Sequence, residues 1–247
     1  MINYIVTVKQ VPDITQITGN AFNPETGTLK RGVLPSVINK LDADALAFAN
    51  KMRTLSPGKI ICLTMGPPMS EEVLVYSLSR CADSAVLLTD RALGGADTPA
   101  TANPLAYAIK KIAKNMFNGS DDYIVISGMQ SVDGDTAQVP AQIAEELQIP
   151  CIAYATEVKF AEGKFQIERI VAGGNQWVSP KRLPCVVTVA NYEHPLFASF
   201  QRSRVAKKFA ITNWSIEDIS PTLFGYDGSK TRVTRVFPPP KSSRKNR

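Results

Sequence analysis

Five short apolar runs rich in β-branched residues, each closed by a turn signal and followed by helical spacing, limit this chain's fold more than any other feature. They are Tyr4–Val8, Ile60–Thr64, Ala85–Leu88, Tyr123–Ser127 and Cys185–Ala190. Runs this uniformly apolar predict strands buried on both faces, which is the habit of parallel sheets. Helical segments lie between them. Leu41–Met52 follows Asn39; Ser70 is expected to cap a helix reaching Arg80, with Glu71 and Glu72 suiting the dipole of its first turn. Asn103-Pro104 is expected to open a third helix with Leu105, Ala108, Ile109, Ile112 and Met116 on one face and Gly119 past its end, and a fourth spans about 136–147. Strand and helix alternating in this way give an α/β fold with a mainly parallel sheet and helices on both sides. Ligands of such sheets bind at the carboxyl ends of the strands.

From about Ala153 the pattern shifts to period two around Glu162-Gly163, a β-hairpin with Val158, Phe160, Phe165 and Ile167 in its arms. After about Asn213 periodicity fades and Pro238-Pro239-Pro240 follows, so an extended arm is expected. The domain plan is therefore residues 1–212 as an α/β nucleotide-binding domain and 213–247 as the arm, within a length of 247 residues that suits one large or two small domains. The net charge of +6 at first points to a polyanion partner. Residues 230–247, however, hold seven basic and no acidic side chains, which leaves 1–229 at −1. Nucleic acid is thus not the expected partner of the body, and a nucleic-acid role for the tail would show as salt-sensitive binding. No apolar run approaches a membrane span and the opening MINYIVTVKQ lacks a signal-peptide layout, so a cytoplasmic protein without membrane insertion is expected. Cys62, Cys81, Cys151 and Cys185 stand singly, mostly in apolar stretches, and read as buried thiols. The single His194 precedes Pro195 in an expected surface loop, and neither a metal site nor a catalytic side chain is expected.

Three strand-to-helix turns should converge at one end of the sheet. Met65-Gly66-Pro67-Pro68 lets a ligand approach the backbone, although many such turns only reverse the chain. The turn Gly128–Val139 gathers Gln130, Ser131, Asp133, Gly134, Asp135, Thr136, Ala137 and Gln138 just before a helix. Its composition alone also fits a solvated loop, but at a strand's carboxyl end these groups suit a phosphate and a sugar. Neither GxxxxGK[ST] nor GxGxxG is present. The third turn, Thr89–Thr101, carries Gly94-Gly95 and then Asp97, Thr98 and Thr101; it is either an ordinary capped loop or a second nucleotide contact.

Taken with YIVTVKQVPD at the start, these turns resemble the β subunit of electron-transfer flavoproteins along nearly the whole chain. The resemblance rests on Lys9–Asp13, Gly27-Thr28-Leu29-Lys30-Arg31, Ile38-Asn39 with Asp42 and Ala45-Leu46, Met65-Gly66-Pro67, Gly95-Ala96-Asp97-Thr98 and above all DGDTAQV at 133–139. It implies a Rossmann-like domain of the adenine nucleotide α-hydrolase type, paired as a heterodimer with an α subunit. It also implies a cofactor site at Thr7, Lys9, Asn39, Met65, Gly66 and Gly128–Val139, with Asp97, Thr98 and Thr101 framing the pyrophosphate or flavin. One branch of the family holds structural AMP in this site. The electron-bifurcating branch holds FAD, which takes hydride from NADH and splits the electrons between a high-potential acyl-CoA dehydrogenase or enoyl-CoA type partner and a low-potential ferredoxin or flavodoxin. The Leu88–Thr101 and DGDTAQV segments look like the second branch, so FAD is expected, with AMP as the alternative. Pro140-Ala141 replaces the family's Gly-Pro, Pro99 stands where a large aromatic is common, and Leu93 where Phe is frequent. The family's recognition loop matches about 191–208 and places its apolar partner anchor on Phe200, amid Arg202, Arg204, Lys207 and Lys208. The arm is expected to reach the α subunit.

Overall fold

The computed structural model describes residues 1–16, 35–232 and 234. The Gly27–Arg31 motif and the triple proline lie outside the described residues. In chain order the elements are β1 (Asn3–Thr7), β2 (Gln10–Pro12), β3 (Ser36–Ile38), α1 (Lys40–Leu55), β4 (Ile60–Met65), α2 (Glu71–Arg80), β5 (Ser84–Leu88), α3 (Thr98–Met116), β6 (Tyr123–Gly128) and α4 (Val139–Leu147). There follow β7 (Cys151–Ala161), β8 (Lys164–Val171), β9 (Gly174–Val178), β10 (Cys185–Val189), α5 (Phe200–Ala206), β11 (Thr212–Trp214) and the short helices α6 (Ile216–Ile219) and α7 (Gly225–Gly228).

The main sheet runs β11-β5-β4-β1-β6-β10-β7-β8-β9, parallel as far as β7 and antiparallel through β8 and β9. Strand alternation separates two cores. Tyr4, Val6, Cys62 and Ile126 face α1 and α2, with Phe48 and Leu74 among them; Ile5, Leu63 and Val125 face α3 and α4, with Ile109 and Ile143. From β1 the chain passes through α1 to β4 on one side, and β6, reached through α3 on the opposite face, lies on the other side of β1. The order therefore reverses between β1 and β6, and the carboxyl ends of these two strands are where sheets of this kind form their ligand crevice.

The expected α/β class, parallel sheet and β7–β8 hairpin are all present, and several boundaries move. α3 starts at Thr98, not at Asn103, because the Asp97 carboxylate caps it and Pro99 fits its first turn. Asn103 is instead a buried linker whose amide oxygen accepts from the backbone N–H of Thr222 (3.0 Å) and Leu223 (3.1 Å). α4 starts at Val139 and not at 136, since Asp135 and Ala137 are left-handed (φ 52° and 54°). Ser70 makes no cap; its hydroxyl donates to Gln10 Oε1. The strands β2, β3, β9 and β11 are too short or too polar to announce themselves. Within the segment expected as an arm, Trp214 and Ile219 are buried in the α3 core and the described chain stays packed on the domain through α7, while most of the expected arm lies outside the described residues. Cys62, Cys81 and Cys185 are buried as expected, whereas Cys151, at the start of β7, is exposed. Among the described residues no helix is long and apolar enough to cross a membrane.

Candidate functional site

At the β1/β6 switch point the chain is stapled together by side chains from the start of α1. Asp42, 5% exposed, accepts from the backbone N–H of Lys9 at the end of β1 (2.9 Å) and from that of Gly128 at the end of β6 (3.1 Å). The approach is close enough to require glycine at 128, where a Cβ would stand 2.5 Å from Asp42 Oδ1 and 2.7 Å from the Leu41 carbonyl carbon. Burial pushes the Asp42 carboxyl up from 3.8 to about 7, against the opposing pull of the Lys9 N–H, the Asn39 side chain, the Gly128 N–H and the Lys9 charge. Asn39 is fully buried, donates to Gln130 O (2.9 Å) and accepts from the Val132 N–H (3.3 Å). The Thr7 hydroxyl donates to Ser127 Oγ (2.8 Å) beneath the crevice. Lys9 Nζ bonds Asp133 Oδ1 (2.7 Å) and Ser131 Oγ (3.3 Å), so a cation stands over the turn.

Beyond Asp133 the turn exposes its backbone. Asp135 N–H is used by Ser131 O (2.8 Å), but the N–H groups of Thr136, Ala137, Gln138 and Val139 have no partner among the described residues. Two left-handed residues flanking Thr136 at the mouth of a helix form the kind of concavity that receives an anion. Thr98 donates to Gln138 Oε1 (3.1 Å) and accepts from Gln142 Nε2 (3.2 Å), which ties the start of α3 to this turn. The oxygen of the Gln142 amide, Oε1, is buried with no donor among the described residues. Unpartnered N–H groups, a lysine and a buried acceptor awaiting a donor fit a group with phosphate, hydroxyl and amino functions, as an adenine nucleotide has.

The sequence-derived residues thus divide. Lys9, Asn39, Gly128, Gln130, Ser131 and Asp133 form one cluster bonded directly or through Asp42, Thr7 lies beneath it on Ser127, and Gly134 to Val139 supply backbone. Thr98 and Gln138 form a bonded pair, with Thr101 a turn further into α3. Met65 and Gly66 sit at the neighbouring end of β4, where the Gly66 N–H is taken by Leu88 O (3.0 Å). The Asp97 side chain is turned to the helix cap and to residues 230 and 231. Asp42 and Gln142 were missed as site residues. Asp42 carried a signal, a carboxylate on the otherwise apolar face of α1; Gln142 carried none. Two open depressions, about 290 Å³ beside His194 and about 360 Å³ on the outer side of α3, touch none of these groups.

In the loop after β10, Phe197 and Phe200 are 85% and 79% exposed. Arg202, two residues after Phe200, fastens α5 to the end of α2 through Leu78 O (3.3 Å) and Ala82 O (2.8 Å).

Residues 26–217 match the electron transfer flavoprotein domain model. The chain is 40% identical over 240 residues to the caffeyl-CoA reductase-Etf complex subunit CarD of Acetobacterium woodii, covering 96% of this chain and 87% of that one. It is 40% identical over 245 residues to protein FixA of Bradyrhizobium diazoefficiens (96% and 82% covered) and 36% identical over 244 residues to the electron transfer flavoprotein subunit beta of Megasphaera elsdenii (97% and 88%). With a family model spanning most of its length and such relatives end to end, the chain belongs to the electron transfer flavoprotein family, as a β subunit.

Proposed function

We propose that this β subunit, joined to its α partner, holds FAD at the β1/β6 crevice and takes part in flavin-based electron bifurcation. The observation that carries the reading is 40% identity over 96% of the chain to a subunit of a caffeyl-CoA reductase–Etf complex. The high-potential acceptor is then an acyl-CoA dehydrogenase or enoyl-CoA reductase type of flavoenzyme docking at Phe200, and the low-potential acceptor a ferredoxin or flavodoxin. A flavin held there by Lys9 and the 128–139 turn would supply hydride acceptance from NADH and one-electron release, chemistry that belongs to the cofactor.

The chain's own residues bind and orient. The Lys9 ammonium and the free N–H groups of 136–139 offset phosphate charge, and the latter lie at the positive end of α4. Thr136 and Asp135 offer hydroxyl and carboxylate to the sugar. Asn39 and Asp42 hold the turn in place without needing to touch the ligand, because the Asn39 amide and both Asp42 oxygens are already engaged. Met65 and Gly66 flank the adenine side, and Thr98, Gln138 and Thr101 bound the pyrophosphate.

The test is anaerobic turnover of the purified αβ complex with NADH, a ferredoxin and an enoyl-CoA reducing partner. Ferredoxin reduction is expected only while the enoyl-CoA acceptor is also being reduced. An NADH addition that bleaches no flavin, or ferredoxin reduction independent of the second acceptor, would contradict the reading.

A further inference from the structure

The Asp97 carboxylate, though next to Thr98, which bonds the nucleotide turn, is taken up by the helix cap and by Lys230 and Thr231. Its Oδ1 accepts from the Ala100 N–H (3.0 Å), capping α3, while Oδ2 receives the N–H of Lys230 (2.8 Å), the N–H of Thr231 (2.9 Å) and the Thr231 hydroxyl (3.0 Å). The Asp97 N–H in turn donates to Ser229 Oγ (2.8 Å), whose own proton goes to Gly225 O (2.8 Å). The strip before it is pressed onto the same loop. Gly225 is left-handed (φ 63°) with its Cα against the Ala92 carbonyl, so that a Cβ would collide with it. The Tyr226 side chain covers Gly95, and the Arg232 guanidinium stacks 4.4 Å from the Tyr226 ring centre. Partial burial acts to raise the Asp97 carboxyl, but the hydrogen bonds from Ala100, Thr231 and Lys230 outweigh it and hold it below 3.8.

We propose that Asp97 is a positioning residue for assembly: it fixes the point and direction in which the C-terminal arm leaves the domain, and so pre-organises the arm for the partner subunit. The inference rests on the reading that the arm engages that subunit. Three donors converging on a single oxygen suit a carboxylate and no neutral acceptor of the same shape. Past Arg232 the sequence holds five basic side chains and no acidic one, so the surface that receives the arm carries carboxylates. A root held in place spares the complex the ordering of those residues on association, and preorganisation of this kind appears directly in affinity.

Asp97→Asn in the full-length chain separates the roles. Asparagine remains a good N-cap for α3, yet an NH₂ group facing the Lys230 and Thr231 donors cannot accept from them. Amide exchange at Lys230 and Thr231, followed in the full-length chain before the α subunit is added, should accelerate at least tenfold. The dissociation constant for α should rise about tenfold, a 1.4 kcal/mol change, while nucleotide per assembled heterodimer stays at the parent value. Ser229→Ala, which leaves the cap untouched, should shift exchange and affinity in the same direction. Parental exchange at 230 and 231 in both variants overturns the anchor. So does parental α affinity in both while removal of 230–247 weakens assembly, as does loss of nucleotide from an assembled Asp97→Asn complex. If removal of 230–247 leaves α affinity unchanged, the arm reading fails and the assembly role of Asp97 with it, even where the exchange data uphold the clasp.

Discussion

Replacing Asp42 by Asn tests the staple on which the crevice depends. Both carboxylate oxygens receive backbone N–H groups, from Lys9 at 2.9 Å and Gly128 at 3.1 Å. An amide presents one oxygen and one NH₂ to these two donors, so one hydrogen bond is lost and buried donors face each other, at about 1–3 kcal/mol. The pH dependence supplies a sharper sign. Because burial raises the Asp42 carboxyl from 3.8 to about 7, the native protein holds a proton that the unfolded chain has already released between those values. Stability contributed by this group is therefore complete at low pH and falls as pH rises through that window, with a ceiling of about 4 kcal/mol at about 1.4 kcal/mol per pH unit. Asparagine has no such slope. Urea unfolding of both chains, followed by the fluorescence of Trp214, which is 7% exposed, gives the difference at pH 5, 6, 7 and 8. Asp42→Asn should be less stable by about 1–3 kcal/mol at pH 5, and the gap should narrow or reverse by pH 8. A gap that is constant or widens with pH refutes the reasoning.

Other perturbations address neighbouring parts. Gly128→Ala forces a Cβ to 2.5 Å from Asp42 Oδ1 and should cost about 1–3 kcal/mol or more in denaturant unfolding. Lys9→Met removes a bridge whose lysine is 45% exposed, so stability should change by less than about 1 kcal/mol, while nucleotide affinity measured by calorimetry falls about tenfold, a 1.4 kcal/mol change. Phe197→Ala with Phe200→Ala should slow electron delivery to the dehydrogenase-type partner and leave nucleotide content as it was, as visible spectra before and after partner addition will show. In the native chain a thiol reagent should modify Cys151 alone, since burial pushes the Cys62, Cys81 and Cys185 thiols well up and removes them from solvent.

The parallel core was legible because strands buried on both faces leave unbroken apolar runs: Tyr123–Gly128 and Cys185–Val189 are buried throughout. Edge elements carry no such mark. β9 is exposed over Gly174–Trp177 and owes its existence to pairing with β8, and β11 is three residues held against β5. The start of α3 differs from the expected one because Asn103-Pro104 imitates a helix opening, while the actual opening, Asp97-Thr98-Pro99, carries two residues, Asp97 and Thr98, that the resemblance assigns to the ligand. The turn at 128–139 stood out through its polar composition at a strand end. What holds it did not, because the Asp42 and Asn39 bonds span 86 and 91 residues and only the folded chain brings those partners together. The packing of 214–228 was likewise hidden: a few anchors, Trp214, Ile219 and Gly225, do the work without any periodic signal.

The central claim, that the crevice of this β subunit holds a flavin, is tested most directly by nucleotide content. The αβ complex is purified, denatured and its released nucleotides separated and quantified against protein. Two FAD per heterodimer and no AMP is the predicted result. One FAD with one AMP would contradict it and return the chain to the simple electron-carrying branch of the family.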